Sequence, residues 1–328
     1  RVTGGNDKRF FITMKLTIER AALLKSLNHV QSVVERRNTI PILSNVLLEA
    51  SDGALSLTAS DMEIAVVEKV GADVSTAGST TAPAHTLYDI VRKLPDGSQV
   101  SLDATGEAGQ LLLTSGRSRF TLQTLPTDDF PVMSDGDLPT SFALTSEETR
   151  VLIDCTRFAI STEETRYYLN GVYMHVADAT EGGKALRCVA TDGHRLARID
   201  APLPLGAEDM PGVIVPRKTV GELRKLLDDD EMDIAVSVSE TKVRFATPNI
   251  TLTSKVIDGT FPDYTRVIPV GNTRRLEVDA SEFAQAVDRV ATVSSERSRA
   301  VKLILDEDKL TLTVNAPDSG MAQEELVV

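Results

Sequence analysis

The sequence predicts an α+β fold of three tandem repeats, each an antiparallel sheet backed by two helices, with the third repeat incomplete. Three observations predict it. One order of segments, an amphipathic helix, an apolar strand, a tight turn and a strand closing near an Asp, recurs from starts near Thr17, Thr145 and Asp279. The period of about 130 residues makes each copy domain-sized. Short strands rich in Val, Leu, Ile and Thr, separated by frequent turn residues, argue for antiparallel pairing.

The elements follow in order. In residues 17–34, Ile18, Ala22, Leu23, Leu27, Val30 and Val34 form an apolar stripe at helical spacing, opposed by Glu19, Arg20, Lys25 and Gln31. Equivalent helices are predicted over 151–160 and 283–293, the latter with Ser281 and Glu282 as capping residues. First strands at 43–48, 169–174 and 300–305 each run into a turn: Asp52-Gly53, residues 181–184, and residues 306–309. The next strands close on Asp61, Asp192 and Asp318. Second helices begin after Pro83 and Pro216, where a missing N–H costs nothing. Asp129-Phe130-Pro131 and Thr260-Phe261-Pro262 end copies one and two. The expected boundaries are an extension at 1–13, repeats at 14–135 and 136–270, and a truncated repeat at 271–328. By the repeat period, the third copy is expected to lack roughly 60 to 70 residues of its counterpart.

A chain of 328 residues with 41% apolar and 25% charged content has material for more than one core. It has no long uncharged apolar run and no leader-like opening, so a cytoplasmic protein without membrane spans is expected. Cys155 and Cys188 have no metal or redox spacing and read as small core residues. The net charge of −13 argues against a simple DNA-binding surface. Its distribution is uneven: the five helical stretches together carry +4, which leaves −17 for the rest. A surface built from the helices would attract phosphate while the remainder repels it, although helix propensity alone also enriches Lys and Arg in helices.

Catalytic patterns are absent. Asp192, His194 and Arg195 fall within one short phrase that would suit acid–base work, yet no nucleophile, phosphate loop, dinucleotide motif or metal-ligand spacing accompanies them. A strand-ending turn is the better reading, since Ser60-Asp61-Met62-Glu63 occupies the same place in copy one without a histidine. Tyr167 and Tyr168 read as packing residues. No cofactor is implied.

Residues 190–197 (Ala-Thr-Asp-Gly-His-Arg-Leu-Ala), 166–171 (Arg-Tyr-Tyr-Leu-Asn-Gly), Val215-Pro216-Arg217-Lys218, Phe261-Pro262-Asp263-Tyr264 and 115–120 carry a resemblance. In colinear order from Met14 to Val328, the chain resembles the bacterial DNA polymerase III beta subunit family, the sliding clamps. The resemblance implies a clamp fold with sheets outside and two helices per repeat inside, in a head-to-tail homodimer encircling double-stranded DNA without catalysis. It also implies a nucleoid-associated protein that tethers the replicative polymerase catalytic subunit. Further partners would be the clamp loader and, through short apolar motifs, other polymerases, mismatch repair and ligase proteins.

Site residues transfer on the matching positions. Lys25, Arg37, Arg92, Arg217 and Lys218 are expected to face DNA. Leu169, Thr191, Gly193, His194, Arg195, Leu196, Pro262, Arg266 and Val267 match the family's peptide-binding groove. Arg117, Arg119, Phe120 and Leu122 in copy one, with Thr292, Val293, Glu324 and Glu325 in copy three, match the dimer seam. A hydrolase centred on Asp192 and His194, and a scaffold that binds protein peptides but never encircles DNA, are the rival functions.

Overall fold

The computed structural model describes residues 13–107, 109–133, 136–179, 182–227, 232–294 and 299–328. Most of the 1–13 extension and Glu181 of the predicted second-copy turn lie outside them. The chain divides into two units, Arg1–Phe261 and Pro262–Val328.

The first unit opens with β1 (Lys15–Glu19), α1 (Arg20–Gln31), β2 (Asn45–Ser51), β3 (Ala54–Ser60), β4 (Ile64–Gly71), β5 (Asp73–Thr76), β6 (Gly78–Pro83), α2 (Ala84–Lys93), β7 (Gln99–Asp103), β8 (Gln110–Ser115) and β9 (Ser118–Gln123). It continues with β10 (Thr140–Thr145), α3 (Ser146–Asp154), β11 (Gly171–Asp178), β12 (Lys184–Thr191), β13 (Leu196–Pro202), β14 (Val213–Pro216), α4 (Arg217–Leu226), β15 (Asp233–Val238), β16 (Lys242–Ala246) and β17 (Ile250–Lys255). The two runs repeat one another, as the sequence periodicity implies.

Local chemistry sets the starts of these elements. The predicted helix at 17–34 begins three residues late, because Leu16 and Ile18 are buried alternately with more exposed neighbours and so form β1. Glu19 then caps α1, accepting from the Ala22 N–H at 2.9 Å. Asp52 and Gly53 both take positive φ, 50° and 73°, as the two-residue hairpin between β2 and β3 demands. Thr145 and Glu148 form a reciprocal capping box on α3, which ends at Asp154, short of the predicted 160. Cys155 caps that end and is exposed, contrary to the core placement expected for it, whereas Cys188 is buried and its thiol is pushed up to about 12 by burial.

The strands do not form one sheet per repeat. A five-stranded sheet has the order β5-β1-β7-β8-β9, a four-stranded one β13-β12-β11-β14, and an eight-stranded one β10-β15-β16-β17-β4-β3-β2-β6. The last spans both repeats through an antiparallel joint in which Ile250 faces Glu68 and Ser254 faces Ile64. One apolar core follows the joint, including Leu23, Leu48, Leu57 and Leu87 from the first repeat and Leu144, Leu186, Val236 and Leu252 from the second. Polar ties cross it as well: Ser32 Oγ bonds Glu222, the Lys69 N–H reaches Asn249 O at 2.9 Å, and Lys255 Nζ meets Glu63 at 2.9 Å.

The second unit holds α5 (Ala280–Ala291) and a three-stranded sheet of β18 (Lys302–Asp306), β19 (Lys309–Ala316) and β20 (Gly320–Val327) in that order. Its core is Ala286, Val290, Leu310, Leu312 and Val314. Asp279, rather than Ser281, caps α5 by accepting from the Glu282 N–H at 2.8 Å. Among the described residues, no helix is long and apolar enough to cross a membrane.

Candidate functional site

The helices of the first unit form one connected layer: α1 contacts both α2 and α4, and α4 contacts α3. Buried Leu23, Leu27 and Val30 fix the inner face of α1 and leave Lys25 exposed, with Arg37 exposed beyond its end. Arg92, in the last turn of α2, lies 5.6 Å from the Tyr88 ring centroid and 3.2 Å from Asp89. Arg217 is exposed at the first position of α4. Four of the five cations expected to face DNA thus stand exposed on or beside contiguous helices.

Lys218 departs from that expectation. Its Nζ donates to Val33 O at 3.0 Å, Glu35 Oε1 at 2.5 Å and Asp61 Oδ2 at 2.7 Å. All three ammonium protons are spent inside the protein. Burial works against its charge, but bonds to Asp61 and Glu35 outweigh that and raise its pKa. Lys218 is a tie between the repeats, with no donor left for a phosphate.

The loop after β12 and its flanks bring together five of the groove residues, Thr191, Gly193, His194, Arg195 and Leu196. Leu169 is buried, while Gly193, His194 and Arg195 are exposed. Asp192 organises the turn: its Oδ1 accepts from the backbone N–H groups of His194 at 2.9 Å and Arg195 at 3.0 Å, and its Oδ2 from Arg195 Nε at 3.1 Å. Those backbone donors hold its pKa down to about 2. Thr191 Oγ1 donates to Arg195 O at 2.7 Å and accepts from the Gly193 N–H at 3.1 Å. Gly193 has φ +88°, and a Cβ there would stand 2.6 Å from Arg166 Nη1. Arg166 is itself held by Glu163, with Nε 2.8 Å from Oε2. A carboxylate engaged in this way is a turn-former, as the strand-ending reading of this phrase expects.

Two exposed aromatics stand near this loop, and the sequence reading gave a role to Tyr167 alone. Phe158 is 54% exposed, with the Arg195 guanidinium 5.7 Å from its ring centroid. Tyr167 is 53% exposed and meets Tyr168 edge to face at 5.8 Å, so it is not the packing residue expected. The helix predicted over 151–160 enclosed Phe158, and its exposure follows from the helix ending early, at Asp154. The other three groove residues, Pro262, Arg266 and Val267, belong to the second unit, where all three are exposed and Arg266 pairs with Asp263 at 2.9 Å.

For the seam, β9 lies at one edge of the five-stranded sheet and β20 at one edge of the three-stranded sheet. Arg117 and Arg119 are exposed and Phe120 is half-buried. Leu122, only 8% exposed, belongs to the core and offers little to a partner. Val293 packs on the second unit's core, and Thr292 Oγ1 donates to Asp288 O at 3.2 Å. Glu324 and Glu325, expected as opposite charges for a partner, already pair with Arg289 and with Lys309, the latter at 3.0 Å. Among the described residues, no group of His, Cys, Asp and Glu is placed to hold a metal ion.

Comparison with known proteins finds matches from residue 14 to residue 328. The DNA polymerase III beta subunit matches in three consecutive pieces: its N-terminal domain over residues 14–134, its central domain over 143–263 and its C-terminal domain over 265–328. The beta sliding clamp of Caulobacter vibrioides is 56% identical over 316 residues, covering 96% of this chain and 84% of that protein. That of Escherichia coli is 41% identical over 318 residues, with the same shares covered. Among solved structures, a Caulobacter crescentus beta sliding clamp superposes with a TM-score of 0.92 at 55% identity, covering 97% of this chain and 84% of that one. A DnaN sliding clamp from Bartonella birtlesii bound to griselimycin gives 0.91 at 50% identity, covering 96% and 84%.

Proposed function

The chain belongs to the DNA polymerase III beta subunit family, and from that premise we propose how its residues make it a DNA sliding clamp, a non-catalytic processivity factor of bacterial DNA replication. Two chains close head to tail into a ring around duplex DNA, with α1, α2 and α4 turned to the duplex. Lys25, Arg37, Arg92 and Arg217 supply a few phosphate contacts, largely through water, that centre the duplex without arresting it. The acidic remainder keeps the outside of the ring off DNA. Closure, not affinity, retains the protein, so it stays with the nucleoid while loaded.

The observation that carries this reading is the β17–β4 joint. A molecule that joins its own repeats edge to edge has the same joint to offer between copies. Its counterparts are β9, which like β17 ends the last hairpin of its repeat, and β20, which like β4 follows the hairpin strand that closes near an Asp. Both are sheet edges. Arg119 and Phe120 of one protomer would then meet β20 of the other.

On the first unit, the exposed Arg195 and Phe158 with Leu196 take short apolar peptides of the replicative polymerase, the clamp loader, other polymerases, mismatch repair and ligase proteins; Pro262, Arg266 and Val267, exposed on the second unit, are further peptide-contacting positions. The deciding experiment loads the protein onto a nicked circular plasmid with a clamp loader and ATP, then cuts the circle once. Release on cutting is the expected result. Retention on the linear product would mean direct affinity, and failure to load would favour a peptide-binding scaffold.

A further inference from the structure

We propose that His85 is the positioning residue for Arg37: it pins the segment after α1 so that Arg36 and Arg37 are held out together as a fixed dibasic tip. The assignment rests on the phosphate contact proposed for Arg37.

α1 ends at Gln31, and residues 32–40 contain no helix or strand. A connection of that kind is ordinarily loose, because fixing each of its residues costs backbone entropy. Its first half is nevertheless fastened from two sides. From the first turn of α2, His85 Nε2 lies 2.9 Å from Val34 O, and its Nδ1 lies 2.8 Å from Gln31 Oε1. A carbonyl oxygen only accepts, so Nε2 carries a proton and donates it to Val34. From α4, Lys218 Nζ donates to Val33 O at 3.0 Å and to Glu35 Oε1 at 2.5 Å, and Glu222 bonds Ser32 Oγ. Val33 and Val34 themselves are buried.

On the far side of the tip, Asn38 Nδ2 donates to Leu43 O at 3.3 Å. Between Glu35 and Asn38 stand Arg36 and Arg37 alone. Both are exposed, and neither has a partner among the described residues. Guanidiniums on a span held at both ends lose less freedom on meeting a phosphate than they would on a loose loop, and that ordering cost is what weakens such contacts. Lys218 restrains one carbonyl from the second repeat, and His85 restrains the next from the first. Either bond alone leaves the segment free to turn about it; the two together fix its direction. Because His85 binds the main chain, it acts on the tip through backbone position.

His85→Ala removes both ring bonds, whereas His85→Gln keeps an N–H donor near the place of Nε2. Limited trypsin digestion reads the tip directly, since the enzyme cuts after arginine in exposed segments that open. His85→Ala is expected to be cut after Arg36 and Arg37 about fivefold faster than the parent, with other sites unchanged, and His85→Gln at close to the parental rate. Binding of a short fluorescent duplex over a salt series reads the consequence. Arg37→Gln should flatten the slope of log K against log salt by about 0.9, and His85→Ala by at least as much. His85→Gln should leave the slope alone, and Arg37→Gln added to His85→Ala should change it no further. Unchanged cleavage in His85→Ala, cleavage raised at every site alike, no rescue by His85→Gln, or additive slopes in the double variant would each overturn the assignment. A slope unmoved by Arg37→Gln would instead remove the phosphate contact, and the assignment with it, even with faster cleavage confined to the tip.

Discussion

Asp192 decides the shape of the loop that presents Arg195. Its pKa of about 2 lies below the ordinary 3.8, so its contribution is present above the ordinary value and is lost as pH falls toward 2. The urea midpoint of Asp192→Asn should therefore lie below that of the parent at pH 6, with the gap closing between about pH 4 and pH 2. Gly193→Ala strains a left-handed backbone and pushes Arg166, at a cost of about 1–3 kcal/mol, read by thermal unfolding and by weakened binding of a fluorescent apolar peptide. Lys218 and Arg217 are neighbours with opposite fates. Lys218→Ala strands Asp61 and Glu35 and should cost about 1–3 kcal/mol, whereas Arg217→Ala should stay within about 0.5 kcal/mol of the parent and act on DNA sliding alone. As charges the two look alike in the sequence. Their partners lie 183 and 157 residues away for Lys218, which no local pattern discloses.

At the scale of elements, proline-entered helices were legible because Pro83 and Pro216 mark them chemically, and α2 and α4 start one residue later. β1 was not legible as a strand, since Ile18 also fits the helical stripe of the residues behind it. The edge strand β9 is where a partner matters most. Phe120→Ala should weaken dimerisation, and sedimentation at low concentration that matches the parent would remove Phe120 from the seam. Across β12 and β13, Arg187 is buried and pairs with Asp200, whose pKa that guanidinium drives far down. Asp200→Ala leaves the guanidinium short of its main partner, and a loss of about 3 kcal/mol in equilibrium unfolding is expected.

For the whole molecule, three periodic copies and the acidic surplus were visible in the sequence, and so were the residues that place it among the clamps. The sharing of one sheet by two repeats was not, because strand pairing between distant segments leaves no periodic trace. Reversing Lys25, Arg37 and Arg217 to Glu should leave folding and peptide binding intact and reduce loading on nicked circles, most at low salt where phosphate attraction is strongest.

The eight-stranded sheet also has a mechanical meaning. Parting the repeats at β4 and β17 would break a ladder of main-chain bonds, expose core around Leu252 and Val66, and strip Lys218 of its partners together. The first two repeats therefore part only if the ladder, the shared core and the Lys218 ties are all lost together, so this joint acts as a fastener and not as a hinge.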